Sequence, residues 1–262
     1  MKNKKVTIVL IIAVLIVAGV IVSVAAVLKR ADDNHKKGLQ EWFFKSGDDQ
    51  YAKEIIDNNE QKYVIDDYTI TLKESLYDGT IGYCVFAVTK QDGVPEIELS
   101  EFGDSVTGGY GENNRFVIET FANQKSRYEI VGDTLYHYLS FRTHEDFKGK
   151  IKVQDTKNNK TYNYAVTNFD KYNEYIVNEN IKIKVSPLGI TVYSSSAING
   201  EIALHYKDGK EEAVLNTEDG TGMGLSNVST NNGRTRSVYV FKELKKIQDI
   251  DYIVFNGEKI SK

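Results

Sequence analysis

The sequence predicts a mainly β protein, with an N-terminal transmembrane helix, a short juxtamembrane helix and then two immunoglobulin-like β-sandwich domains. Three observations carry that reading. No charged residue occurs from Val6 to Leu28. From Tyr63 onward, apolar and polar residues alternate with a period of two, as half-buried strands require. Gly, Asn and Asp punctuate those runs at short, regular spacing, and helical periodicity nearly disappears after residue 60, which is the pattern of sandwiches rather than α/β folds.

The run Val6–Leu28 is almost wholly Val, Ile, Leu and Ala. At ~1.5 Å per residue it spans roughly 35 Å, enough to cross a ~30 Å hydrocarbon core with some tilt. Lys2, Lys4 and Lys5 flank one end, and Lys29 and Arg30 the other. A cleaved signal peptide is the competing reading, with Ser23-Val24-Ala25 or Val24-Ala25-Ala26 as a small-x-small site. Signal-peptide apolar regions run only ~7–15 residues, so an uncleaved single-pass anchor is expected. Lys and Arg are balanced across the helix and do not decide its orientation. Long domains translocate regardless of charge, so residues 1–5 are read as a cytoplasmic tail, 6–28 as the membrane span and the C-terminal region as extracytoplasmic.

Of the 33 Lys and Arg in the chain, five lie in residues 1–30 beside no acidic residue. The remainder carries 28 against 37 Asp and Glu, a net charge of −9. That balance argues against nucleic acid or an anionic lipid surface as the main partner. One cysteine excludes an intrachain disulfide and a cysteine-based metal site, a usage common in exported bacterial, especially Gram-positive, proteins.

Residues 29–61 read as a polar connector with helical character. Ser46-Gly47-Asp48-Asp49 has the form of a capping box, and Tyr51, Ile55 and Ile56 then share a helical face. The aromatic run Trp42-Phe43-Phe44 has two readings: a foot on lipid headgroups, or rings that pack on the domain that follows.

Strands follow in order. Tyr68, Ile70 and Leu72 alternate with Thr69, Thr71 and Lys73, and Asp78-Gly79 suits a hairpin turn. The return run Tyr83–Val88 is apolar on both faces and is expected at the centre of its sheet, with Cys84 a small buried hydrophobe on the face of Phe86 and Val88. Further strands are read at Phe116–Phe121, Leu135–Phe141, Ile151–Val153 and Tyr162–Val166. Ile181, Ile183 and Val185 give the cleanest alternation, which Pro187-Leu188-Gly189 breaks before Ile190–Tyr193 resumes it. Ile202, Leu204 and Tyr206 lead to a second turn at Asp208-Gly209, with Ala213–Leu215 returning. Val238–Phe241 and Tyr252–Phe255 complete the set, before Asn256-Gly257. The polar stretch Asn168–Asn173 divides the strands into residues 62–168 and 173–262. Each piece has the ~100 residues of an immunoglobulin-like sandwich.

No segment assembles into a known catalytic site, and no catalytic, cofactor-binding or metal-binding residue is assigned. Gly103-Asp104-Ser105-Val106-Thr107-Gly108-Gly109 contains a Gly-Asp-Ser found near some hydrolase nucleophiles, but no base accompanies Ser105 and the segment reads as a Gly-rich loop. Gly220-Thr221-Gly222-Met223-Gly224 lacks the Gly-Lys-Ser/Thr and following helix of a phosphate cradle. None of His35, His137, His144 and His205 has metal-ligand spacing, and His137 shares a strand face with Leu135 and Leu139. Asp66-Asp67 and Asp249-x-Asp251 are acidic pairs without an EF-hand pattern. The 17 tyrosines fit pleated, half-buried surfaces and include candidates for a glycan or peptide platform.

The run Asp67-Tyr68-Thr69-Ile70-Thr71-Leu72-Lys73-Glu74-Ser75-Leu76-Tyr77-Asp78-Gly79 resembles the opening hairpin of a family of exported Gram-positive domains of unknown function. Members are often membrane-anchored and related to the extracytoplasmic part of anti-sigma-factor-like proteins. Ile183-Lys184-Val185-Ser186-Pro187-Leu188-Gly189-Ile190 is similar to the start of their second, immunoglobulin-like domain. Ile250-Asp251-Tyr252-Ile253-Val254-Phe255-Asn256-Gly257 resembles their closing strand and turn. The resemblance implies no catalytic residue. Only Met1–Lys5 precede the helix, so direct sigma-factor binding is not expected. The expected function is a non-enzymatic, membrane-anchored cell-envelope module that binds a protein, peptide or wall polymer and needs no cofactor. The alternatives are a transmembrane regulator acting through its helix and, last, an extracytoplasmic enzyme of unfamiliar type.

Overall fold

The computed structural model describes residues 38–39, 43–44, 49–95, 99–101, 115–118, 122–143, 147–195, 201–214, 226–229 and 235–262. Val6–Leu28, Trp42 and the Ser46 cap lie outside the described residues. Among the described residues, no helix is long and apolar enough to cross a membrane.

The chain is mainly β. Helix α1 (Asp49–Ile55) precedes β1 (Gln61–Ile65), β2 (Tyr68–Tyr77), β3 (Ile81–Lys90), β4 (Leu99–Glu101), β5 (Phe116–Ile118), β6 (Ala122–Val131), β7 (Thr134–Arg142), β8 (Lys150–Asp155) and β9 (Lys160–Ala165). The second set is β10 (Asn173–Asn178), β11 (Ile181–Val185), β12 (Gly189–Ser194), β13 (Ile202–Tyr206), β14 (Glu211–Ala213), β15 (Ser226–Ser229), β16 (Thr235–Val240), β17 (Ile250–Phe255) and β18 (Glu258–Ser261). Ladders form within each set: β1-β2-β3-β7-β6 with β4-β5-β8-β9, and β10-β11-β12-β16-β15 with β14-β13-β17-β18. Among the described residues, the strand ladders are antiparallel except β4 with β5.

The two sets repeat one plan. Counted from its own first strand, the larger sheet has the order 1-2-3-7-6 in both, and the smaller sheets differ in which of two neighbours lies at the edge and in whether those two run parallel. The first and last strands also meet in both sets, β1 with β9 and β10 with β18. A faint echo is present in the residues: Lys62-Tyr63-Val64-Ile65 opens the first set, and Glu174-Tyr175-Ile176-Val177 the second.

Each set encloses its own apolar core. Ile70, Leu72, Phe86, Leu139, Val153 and Tyr164 fill the first, and Tyr175, Ile183, Val192, Leu204, Tyr239 and Ile253 the second. A bulge at Lys73 inserts one residue into β2, so Ile70 and Leu72 face the first core but Leu76 faces away from it. Strand β3 is central, with β2 and β7 as neighbours, because both of its faces are covered. Phe86 and Val88 point into the first core, while Ile81, Tyr83 and Val85 point into a third cluster.

That third cluster joins the two sets. Leu39, Phe44, Tyr51 and Ile55 pack with Leu76, Tyr83 and Tyr138 of the first set and Leu188 and Val238 of the second. The aromatic pair Phe43 and Phe44 sits 4.6 and 5.0 Å from the Tyr83 ring, so these rings pack on the domain that follows. The connector is therefore part of the folded unit over its described residues.

Candidate functional site

Two places concentrate polar side chains. The first is a half-open cleft on the outer face of β10, β11 and β12. Alternation creates it: with Tyr175, Ile183, Val185, Ile190 and Val192 committed to the core, Glu174, Ile176, Lys182, Lys184 and Tyr193 must face outward. Register sets Ile176 beside Lys182 and Lys182 beside Tyr193, with Glu174 beside Lys184 in the next row. The turn between β10 and β11 is held by the Asn180 N–H donating to Asn178 Oδ1 at 2.9 Å. The cleft encloses about 570 Å³, and Tyr172, Asn178, Asn180 and Ser195 also line it.

Its two lysines have local partners. Lys182 Nζ lies 2.7 Å from Glu174 Oε2. Lys184 Nζ sits 3.5 Å from the Tyr172 ring centroid, a cation–π contact. Burial holds the Lys184 amine below the ordinary lysine value, and the carboxylates of Asp78 and Asp170 oppose that shift. Ile176 is 67% exposed on this face, an apolar side chain open to solvent.

The second place is the seam between the two strand sets. Asp78 is buried, and its carboxylate accepts from the N–H of Thr80 at 2.8 Å and of Ile81 at 2.6 Å. Ser186 Oγ of the second set donates to Asp78 Oδ2 and accepts from the N–H groups of Leu188 and Gly189. Burial raises the Asp78 pKa above the usual carboxylate value, against the pull of the Ser186 hydroxyl and the two backbone donors. Arg236, 1% exposed, reaches across the seam and donates from Nη2 to the Thr143 carbonyl. Gly189 is required here, because a Cβ would strike the Tyr239 carbonyl and Ile81.

The residues singled out from the sequence are scattered. Cys84 is fully buried among apolar side chains, and burial pushes its thiol well above the ordinary value. His137 lies in the same core, where burial pulls its pKa down to about 4. His205 stacks on Tyr252 at 4.4 Å, with Glu211 3.5 Å away. Asp66 is engaged by Arg115, which also bonds Asp155 through Nε at 3.1 Å and Nη2 at 3.2 Å. Among the described residues, no group of three or more acidic, His or Cys side chains is placed to hold a metal ion. The segments 103–109 and 220–224, with His35 and His144, lie outside the described residues.

The cleft itself escaped the sequence reading. Tyr172 and Asn173 belong to the polar break Asn168–Asn173, and the exposed Ile176 denies β10 the alternation of a half-buried strand. The echo of residues 62–65 in 174–177 is the signal that would have found it.

No family model matches the chain, and no curated protein is significantly similar to it. Among solved structures it is similar to a conserved domain protein from Bacillus anthracis, with 12% identity over 84% of this chain and 80% of that one. The TM-score is 0.37.

Proposed function

We propose that this protein is a non-enzymatic module of the cell envelope, held in the membrane by residues 6–28 and binding a partner outside the cell through two immunoglobulin-like sandwiches. In this reading it is kin to the exported Gram-positive domains that its hairpin and closing strand resemble. The observation that carries the binding role is the cleft on β10–β12. It offers apolar, aromatic and amide side chains together on one sheet, with Lys182 paired to Glu174 and Lys184 held over the Tyr172 ring. Lysines engaged in this way suit holding a ligand better than transferring protons.

Three measurements test the proposal. External protease applied to intact cells should remove the β-rich region and leave a short membrane-bound stub. Protection until lysis would reverse the orientation, and a soluble form beginning near Ala26 would show a cleaved signal peptide. The full chain in lipid nanodiscs should sediment with purified cell walls or retain an envelope protein. A hydrolytic activity on wall material that disappears in Ser105→Ala with the fold intact would overturn the non-enzymatic reading.

A further inference from the structure

We infer that the cleft on β10–β12 binds a neutral oligosaccharide, which deepens the proposed binding role and rests on it. Three features point to this ligand class. The cleft floor is a face of side chains, not a strand edge. The lining side chains come from the outer faces of β10, β11 and β12, and not from the backbone edge of β10 that a peptide strand would extend. The lining therefore contacts a ligand through side chains, spread over three strands at ~4.8 Å spacing and so roughly 10 Å wide.

The second feature is charge. Lys182 and Lys184 are matched by Glu174 and Glu179 in the lining, with Lys182 paired to Glu174 at 2.7 Å and Lys184 held over Tyr172. A polyanion would have to compete with these contacts for the two lysines, and it would meet two carboxylates. An uncharged chain needs neither step.

The third feature is the mixture of surfaces. A pyranose has an apolar face of C–H groups and a rim of hydroxyls. Tyr172, 37% exposed, and Tyr193 supply ring surface with hydroxyl tips, and Ile176 supplies an exposed aliphatic wall. Asn178, Asn180 and Ser195 supply amide and hydroxyl groups that pair with neutral sugar hydroxyls.

The test is calorimetric titration of the full chain in lipid nanodiscs with four probes: hexamers of N-acetylglucosamine and of glucose, polyglycerol phosphate, and an unstructured peptide. The expected result is binding of at least one neutral hexamer with little dependence on salt. Tyr172→Ala should weaken it ~10-fold or more, about 1.4 kcal/mol, and Tyr193→Phe less. Tyr128→Ala, on the other strand set, should leave it unchanged. No binding of either hexamer overturns the assignment, as does binding that survives Tyr172→Ala and Tyr193→Ala together. Preference for polyglycerol phosphate that collapses with salt, or for the peptide, also overturns it. Sedimentation with cell walls that persists in the double variant would sink this site alone and leave the envelope-binding role standing. Loss of all retention by envelope material, in the unaltered chain, would sink both.

Discussion

Replacing Asp78 with alanine removes the acceptor for three buried donors at once: the N–H groups of Thr80 and Ile81 and the hydroxyl of Ser186. Each buried donor left without a partner costs ~1–3 kcal/mol, and relief from burying a carboxylate returns part of that sum. Three orphaned donors outweigh that relief, for a net loss of about 3–5 kcal/mol. At ~2–4 °C per kcal/mol for a chain of this size, Asp78→Ala should melt ~6–20 °C lower. Ser186→Ala should cost ~1.5–3 kcal/mol, since it loses a hydrogen bond to a charged group. The decisive quantity is the coupling in a double-mutant cycle, read by circular dichroism during urea unfolding of the full chain in detergent. The seam predicts non-additivity of ~1–3 kcal/mol between positions 108 residues apart. Additivity within ~0.3 kcal/mol would refute the reasoning, because the two side chains would then share no interaction across the seam. The pH dependence supplies a second arm. Burial raises the folded-state pKa of Asp78 above the ordinary 3.8, so its favourable contribution is complete below 3.8 and is lost as pH rises through the folded value. The stability of the unaltered chain relative to Asp78→Asn should therefore grow on acidification.

Other substitutions probe the remaining layers. Cys84→Ser should destabilise by about 1–3 kcal/mol, because the first core offers a hydroxyl little pairing, and native Cys84 should resist thiol reagents; rapid labelling without unfolding would count against its burial. Phe44→Ala should cost ~3–5 kcal/mol by opening the third cluster beside Tyr83, and an unchanged melting curve would show that the connector does not stabilise the strands. For Asp155, burial favours the neutral form, but bonds from Arg115 and Asn158 prevail and hold its pKa below the ordinary 3.8. Its contribution is complete above 3.8 and lost as pH falls through the folded value, so Asp155→Ala should weaken the fold at neutral pH and flatten its decline in acid. An acid limb identical to that of the unaltered chain would contradict that assignment.

Local chemistry made much of the architecture legible. The alternation of Ile181, Ile183 and Val185 with Lys182 and Lys184 is written in five adjacent residues, and β11 follows it. Tyr83–Val88 is apolar on both sides, and β3 is central. The spacing of Tyr51 and Ile55 gave the face that α1 buries, and Asp78-Gly79 gave its turn, with Gly79 at φ +94. Two strands lack such a local signal. Strand β6 carries its apolar residues Tyr128 and Ile130 half exposed at a sheet edge, and β10 presents Ile176 to solvent, so neither shows the contrast that marks a buried face.

What the sequence determined by itself was therefore the set of elements whose signal lies within a few residues: strands of period two, and turns at Asp, Asn and Gly. The tertiary structure alone decided which faces meet. Asp78 finds Ser186, and Arg236 finds Thr143 93 residues away, because two sheets pack outer face against outer face around Leu188 and Val238. That packing covers one part of the β10–β12–β16 sheet and leaves the part bearing Lys182, Lys184 and Tyr193 open as a cleft. Alternation states that a side chain points outward from its strand. Whether it then meets solvent or another sheet depends on the long-range packing of apolar surface, which no local spacing encodes.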